Sequence, residues 1–187
     1  MSIKTDMKKV AIFGSSRTNP ESGLYRAVEK MGKDFASYGW VVVTGGGPGT
    51  MEAANKGASS IDINLSEAEA IYLPFEEKVN EYVHEYTKHD DFFTRLDTFS
   101  RCDAFIVSPG GIGTLLEMAM IYQLLQVNHI EKKPIICVGR MWRTLKNWLE
   151  DEMLDNGFLN NDEMELIHYV DRFSEATCLL RGLLNDQ

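Results

Sequence analysis

The sequence predicts an α/β fold in which a doubly wound parallel sheet carries helices on both faces. Three observations predict it. Short apolar runs alternate with helix-periodic runs along all 187 residues, the pattern produced by parallel strands joined by right-handed crossovers. Two apolar runs pass directly into glycine-rich turns that open helices, at Gly45-Gly46-Gly47-Pro48-Gly49 and at Ser108-Pro109-Gly110-Gly111-Ile112-Gly113. A third apolar run, ending at Phe13, is followed by the polar turn Gly14-Ser15-Ser16-Arg17. In such sheets the loops after the strands gather at the carboxyl edge, where ligands bind. The arrangement is Rossmann-like, and the length suits one nucleotide-binding domain over residues 1–187.

Composition narrows the partners. The chain is 44% hydrophobic and 25% charged with a net charge of −9, an ordinary globular mixture. An acidic balance argues against nucleic acid as the main partner, because phosphodiester binding needs surplus Lys and Arg. No apolar run approaches the length of a bilayer span, so no membrane partner is expected. Cys102, Cys137 and Cys178 are widely spaced and form no CxxC pair. Together with a polar start lacking a signal-peptide segment, they predict a cytoplasmic protein with reduced thiols.

Taken in order, Val10 to Phe13 reads as the first strand, and Glu21 to Tyr38 as a helix with Leu24, Val28, Met31 and Phe35 on its inner stripe, ended by Gly39. Trp40 to Thr44 is the second strand, and its glycine turn opens a helix from Thr50 to Ala58. That turn lacks the Gly-Lys-Ser/Thr of a Walker A loop. Residues 59–69 are polar and carry no clear period. Ala70 to Leu73 reads as a third strand and Tyr82 to Tyr86 as a fourth. His84 and His89 have no partner at metal-ligand spacing, so no metal is expected.

A helix from Phe92 to Cys102 places Phe92, Leu96 and Phe99 on one face, with Arg95 beside it. Ala104 to Val107 is the central strand. The helix after its turn, 114–127, carries Leu115, Met118, Ala119, Ile121, Tyr122, Leu124 and Leu125 almost all the way round. That is more apolar surface than one sheet face covers, and it predicts a homodimer through this helix. Pro134 to Val138 is a strand, and Trp142 to Leu154 a helix with Trp142, Leu145, Trp148 and Leu149 inward. His168 to Val170 forms an edge strand, and a helix from Ser174 to Leu184 closes the chain.

The candidate site centres on the third turn. Glycines let backbone N–H groups approach a ligand, and a helix start adds unpaired donors and a positive dipole end. Pro109, Gly110, Gly111, Ile112, Gly113 and Thr114 therefore read as an anion cradle, most simply for phosphate. Gly46, Gly47, Gly49 and Met51 in the second turn, and Ser15 and Ser16 in the first, read as further ligand-facing positions. Glu117 lies one helical turn beyond Gly113 on the same face. A carboxylate does not help a phosphate cradle bind, so Glu117 points to chemistry. Arg95 is open between a surface ion pair and a group that orients a carboxylate or a phosphate.

These motifs resemble the Lonely Guy (LOG) family, whose members were long labelled possible lysine decarboxylases. Its signature, proline-glycine-glycine, any residue, glycine-threonine, any two residues, glutamate, is complete as Pro109 to Glu117. Phe13 to Ser16, Thr44 to Ala53, Leu73 to Glu76 and Arg95 match the other landmarks. The sequence departs from the plant-type pattern at Leu96, where those members carry lysine. The resemblance implies a phosphoribohydrolase that splits a nucleoside 5′-monophosphate, such as AMP or a cytokinin riboside monophosphate, into free base and ribose 5-phosphate. It implies Arg95 and Glu117 as the catalytic pair and Gly110, Gly111, Gly113 and Thr114 on the phosphate; on physical grounds Arg95 would keep Glu117 ionised and aimed. It also implies at least a dimer. No cofactor is expected, and no sequence context marks a pyridoxal-phosphate lysine. The competing expectation is a non-catalytic nucleotide or molybdenum-cofactor carrier of the same fold.

Overall fold

The chain alternates strand and helix as its apolar pattern dictates. The computed structural model describes residues 7–72 and 78–185. Its elements are β1 (Lys9–Phe13), α1 (Gly23–Ser37), β2 (Val41–Thr44), α2 (Thr50–Ser59), β3 (Ser66–Ile71), β4 (Glu85–His89), α3 (Phe92–Ser100) and β5 (Ala104–Val107), followed by α4 (Ile112–Gln126), β6 (Ile135–Val138), α5 (Arg140–Trp148), α6 (Asn161–Met164), β7 (Ile167–Val170) and α7 (Phe173–Asn185). A π-helical turn, Leu149–Leu154, extends α5. Among the described residues no helix is long and apolar enough to cross a membrane.

Seven strands form one all-parallel sheet in the order β4-β3-β2-β1-β5-β6-β7. The chain winds outward from β1 to β4, then returns to the other side of β1 as β5. The strand order reverses between β1 and β5, so a crevice opens beyond their carboxyl ends. β2, β5 and β6 are buried along their whole length, as strands covered on both faces must be. Phe13 anchors the core beneath the crevice, edge-on to Phe99 at 5.1 Å and stacked on Phe105 at 6.2 Å.

Several elements differ from the sequence expectation for identifiable reasons. β3 begins at Ser66 rather than Ala70, because its polar residues are each partnered. Ser66 Oγ accepts from Asn55 Nδ2, Glu67 pairs with Lys9, and Glu69 meets His89. β4 starts at Glu85 rather than Tyr82, and its exposed edge position removes the apolar alternation that marks a strand. Phe92 and Phe93 face solvent, and the inner face of α3 is Arg95, Leu96 and Phe99. The wider turn at Leu149–Leu154 shifts the inner stripe of α5, burying Leu149 and leaving Trp148 exposed. The short helix α6 has no counterpart in the sequence reading. Leu73 to Glu76 lie outside the described residues.

α4 starts at Ile112, two residues earlier than its apolar run indicates, with Gly111 as its N-cap. Its apolar surplus is narrower than expected. Met118, Ile121 and Leu125 are buried in the chain's own core, and the Tyr122 hydroxyl donates to the Glu163 carbonyl at 3.1 Å. The outward face is instead Ile112, 82% exposed, Leu116, 44% exposed, Ala119, and Val127, 58% exposed.

A buried polar network braces the end of β2. Thr44 Oγ1 donates to Asn55 Oδ1 at 2.6 Å and accepts from the Gly46 amide at 3.0 Å. Asn55 Nδ2 donates to Ser66 Oγ and to the Glu67 carbonyl. Asn80 Nδ2 closes the network on Asn55 Oδ1 and on the carbonyls of Gly46 and Gly47, each at 3.1 Å. With every member satisfied, such a network specifies one geometry. Asn55→Ala leaves the Thr44 hydroxyl proton without its acceptor and Ser66 Oγ without its amide donor, and is expected to cost ~2–3 kcal/mol of stability, read by urea unfolding.

Candidate active site

The third turn leaves the sheet locked to β1, since the Ser108 amide donates to the Phe13 carbonyl at 2.9 Å. Thr114 then folds back over the turn. A Cβ on Gly110 would lie 2.2 Å from Thr114 Oγ1, so only glycine fits there. Gly111 caps α4 without a side-chain hydrogen bond. The first-turn amides of α4 thus lack intrahelical acceptors and side-chain caps alike. Gly111 and Gly113 border open space, and Ile112 points to solvent. Of the predicted cradle, Gly110 and Thr114 shape the turn, while Gly111 and Gly113 leave its approach clear.

The first and second turns form one unit. The Thr50 amide donates to the Ser15 carbonyl at 2.9 Å, and the hydroxyls of Thr18 and Thr50 lie 2.8 Å apart. Gly49 has φ +70°, and a Cβ there would come within 2.5 Å of the Ser15 carbonyl oxygen. Ser15 and Ser16 therefore support the start of α2 through their backbone. Gly49 also caps its helix without a side chain, and the Ser15 carbonyl takes the first amide of that helix instead. Glu52, in the first turn of α2, accepts from the Tyr25 hydroxyl at 2.7 Å.

The structure brings Arg95 and Glu117 together. Asp91 caps α3 through the amides of Phe93 and Thr94, which sets the phase of the helix and turns Arg95 inward. Arg95 Nη1 lies 3.3 Å from Glu117 Oε1, and Nε donates to the Glu69 carbonyl at 2.7 Å. The guanidinium carbon sits 5.2 Å from the centre of the Phe99 ring. Only 8% of Arg95 and 9% of Glu117 is exposed. Gly45 makes room for the pair, since a Cβ there would lie 2.2 Å from Arg95 Nη2 and 2.8 Å from Met51 Sδ. Met51 thereby packs beside the arginine at the start of α2.

Burial pushes the Glu117 carboxyl up from an ordinary 4.5 to about 7, with Arg95 opposing the rise. The expectation that Arg95 keeps Glu117 ionised and aimed meets an opposing effect: burial favours the neutral carboxyl, and Arg95 favours the charged one. The result is a carboxyl that gains and loses its proton near neutrality, the range in which a general acid or base is most effective.

Residues missed by the sequence reading supply the support. Gly45 admits Arg95, the Glu69 carbonyl anchors it, and Asn80 and Asn55 shape the second turn. No local pattern marks Asn80, which acts on a loop 33 residues away. A small hollow bounded by Gly45 to Gly47, Lys78, Tyr86 and Lys88 adjoins this loop, and Glu117 is not in its lining. Among the described residues no group of three or more His, Cys, Asp or Glu is placed to hold a metal ion.

Comparison with known proteins gives the family and the fold. A family model described as possible lysine decarboxylase matches residues 51–180, and one described as SLOG cluster4 family matches residues 7–63. The cytokinin riboside 5′-monophosphate phosphoribohydrolase of Mycobacterium tuberculosis is 28% identical, over 94% of this chain and 96% of that protein. Among solved structures, the molybdenum cofactor binding protein of the phototrophic bacterium Rippkaea orientalis aligns with TM-score 0.72 at 19% identity, covering 96% of this chain and 99% of the other. The molybdenum cofactor carrier protein of Chlamydomonas reinhardtii aligns with TM-score 0.66 at 19% identity, over 96% and 99%. The chain belongs to the possible lysine decarboxylase family, the Lonely Guy group that its motifs resemble.

The raised Glu117 carboxyl has a thermodynamic signature. Between about 4.5 and about 7 the native state holds a proton that the unfolded chain has released. Stability contributed by this group therefore falls as pH rises through that window. Glu117→Gln removes the effect. Its stability relative to the parent chain is expected to climb from pH 4.5 to pH 7 and then level off, as measured by denaturant unfolding across that range.

Proposed function

We propose that this member of the family hydrolyses the N-glycosidic bond of a nucleoside 5′-monophosphate, of the AMP or cytokinin riboside monophosphate type, to free base and ribose 5-phosphate. The observation that carries this reading is the buried Arg95–Glu117 pair one helical turn beyond an uncapped helix start. In this scheme the first-turn amides of α4 hold the 5′-phosphate, with Pro109 to Thr114 as its cradle. Anchoring the phosphate lowers the orientational cost of placing the ribose against Glu117. As the bond to the base lengthens, positive charge develops on the ribose, and ionised Glu117 stabilises it. The C1′–N bonding pair leaves with the base, water supplies the hydroxyl at C1′ and its proton passes to Glu117, which then returns that proton to the departing base and ends ionised as it began. A carboxyl titrating at about 7 suits that exchange. Arg95 offsets the repulsion between Glu117 and the phosphate. No step calls on a cofactor.

The second reading is a nucleotide or molybdenum-cofactor carrier. The molybdenum-cofactor proteins reported above share the fold at 19% identity, and a fold by itself does not assign chemistry. A carrier requires open helix starts but has no use for a buried ion pair whose carboxyl titrates near neutrality.

We also propose that two copies associate through the outward face of α4. Ile112, Leu116, Ala119 and Val127 recur at helical spacing and leave an apolar stripe beside the cradle. A two-fold contact would pair this stripe with its own copy and brace the helix that carries Glu117.

Two measurements test these proposals. Incubation with AMP should release adenine, with adenosine turned over far more slowly. Glu117→Gln should lower release ~100-fold or more while AMP affinity stays within a few fold. Turnover of adenosine equal to that of AMP, or a fully active Gln variant, overturns the hydrolase reading. Ala119→Asp with Val127→Asp should convert a dimer to a monomer in light scattering and lower base release in parallel, whereas a fully active monomer breaks the link between assembly and activity.

A further inference from the structure

His89 and Glu69 form a buried acid–base pair that the proposed chemistry does not use. His89 Nε2 lies 2.7 Å from Glu69 Oε2, and their side chains are only 9% and 12% exposed. The same Glu69 residue offers its backbone carbonyl to Arg95 Nε at 2.7 Å. The register explains why that carbonyl is free. β2 pairs with β3 only as far as Thr44 opposite Ala68. Glu69 is the next residue, where β2 has already turned into the glycine loop. Beyond Ala68, β3 is held in the sheet by β4 alone, from Glu69 opposite Thr87 to Ile71 opposite His89. β4 is itself the outermost strand. The His89–Glu69 contact is thus a side-chain tie at this one-sided end of β3, beside Lys88 lying over the Tyr72 ring at 4.1 Å, and Arg95 hangs from the same Glu69 residue.

We propose that His89 is a positioning residue for the Arg95–Glu117 pair, fixing through Glu69 the strand carbonyl that holds the guanidinium against Glu117. The order of contacts is continuous: His89 to the Glu69 carboxylate, the Glu69 carbonyl to Arg95, and Arg95 to Glu117. Two further elements bear on the tie. Lys9 on β1, whose ammonium pairs with Glu67, also lies within reach of the Glu69 charge. Asp91, which caps the helix carrying Arg95, is held low chiefly by the hydrogen bonds it accepts from Thr94 and Phe93, with His89 a lesser cause. A displaced Glu69 carbonyl would let the guanidinium drift from Glu117. The carboxyl would then lose the one cation that opposes its burial.

The test reads Glu117 directly, so it stands apart from the hydrolase reading on which only its kinetic arm rests. In protein labelled with 13C at glutamate carboxyls, the Glu117 resonance is assigned by its loss in Glu117→Gln and followed against pH. His89→Phe, which keeps a flat ring but no donor, is expected to move the Glu117 midpoint upward by at least ~0.5 pH unit. His89→Gln, whose amide N–H reaches the position of Nε2, is expected to restore it. In the kinetic arm, His89→Phe should lower kcat for base release about tenfold with KM nearly unchanged, and His89→Gln should recover most of it. His89→Leu serves in place of the phenylalanine variant if that chain does not fold. A folded donor-less variant whose Glu117 midpoint equals that of the parent overturns the proposal. A midpoint that moves in a protein releasing no base supports the positioning role and overturns only the hydrolase reading.

Discussion

The burial of one guanidinium organises the functional edge of this protein. A charge taken out of water must be met by partners placed in advance. Arg95 meets three: the Glu117 carboxylate at 3.3 Å, the Glu69 carbonyl at 2.7 Å and the face of Phe99. Each comes from a different part of the fold. Glu117 arrives on the helix after β5, Glu69 on a strand beyond β2, and Phe99 from the arginine's own helix. Gly45 contributes by absence, since any side chain there would occupy the guanidinium's place. Displacing any of the three partners leaves the buried charge less well met, and a side chain at Gly45 would push the guanidinium away from all of them.

That arrangement explains the acidity of Glu117. Desolvation by the packed helix raises it, and a single cation brings it partway back, to about 7. The two opposing effects differ in kind. Desolvation is set by how completely α4 is buried and changes little with small movements. The Coulomb attraction depends on one distance. Control over the carboxyl therefore resides with whatever holds Arg95 in place, and the geometry extends that control outward through Glu69 to the edge of the sheet.

The surrounding loops do a separate task. Topology brings the starts of α2 and α4 to the carboxyl edge on either side of β1. Neither start has a side-chain cap; the first amide of α2 is taken by the Ser15 carbonyl, whereas the first-turn amides of α4 remain for an anion. The first turn ties to the second through Ser15 and Thr50, and Asn55 and Asn80 stiffen the second from beneath. The turn and the ion pair meet on α4, which carries uncapped amides in its first turn and a carboxyl in its second.

Much of this was legible in the chain itself. Alternating apolar runs specify the parallel sheet, because strands buried on both faces and helices buried on one leave different periods. Glycines directly after the β2 and β5 runs mark the ligand edge, and Glu117 is conspicuous as a carboxyl beside a phosphate turn. The chain did not disclose what depends on separation in sequence. The strand at Ser66 was hidden because its polar residues find partners on α2, β1 and β4. The outward face of α4 was misjudged because an almost uniformly apolar helix carries no phase of its own; the neighbours at Met118, Ile121 and Leu125 decide it. The pairing of Arg95 with Glu117, the room left by Gly45, and the Glu69 carbonyl freed where β2 ends arise only when distant segments pack. Local sequence determines periodicity and turn chemistry through short-range sterics. Burial of charge, and with it the acidity of Glu117, is a property of the assembled sheet and helices, because it depends on which segments exclude water from which atoms.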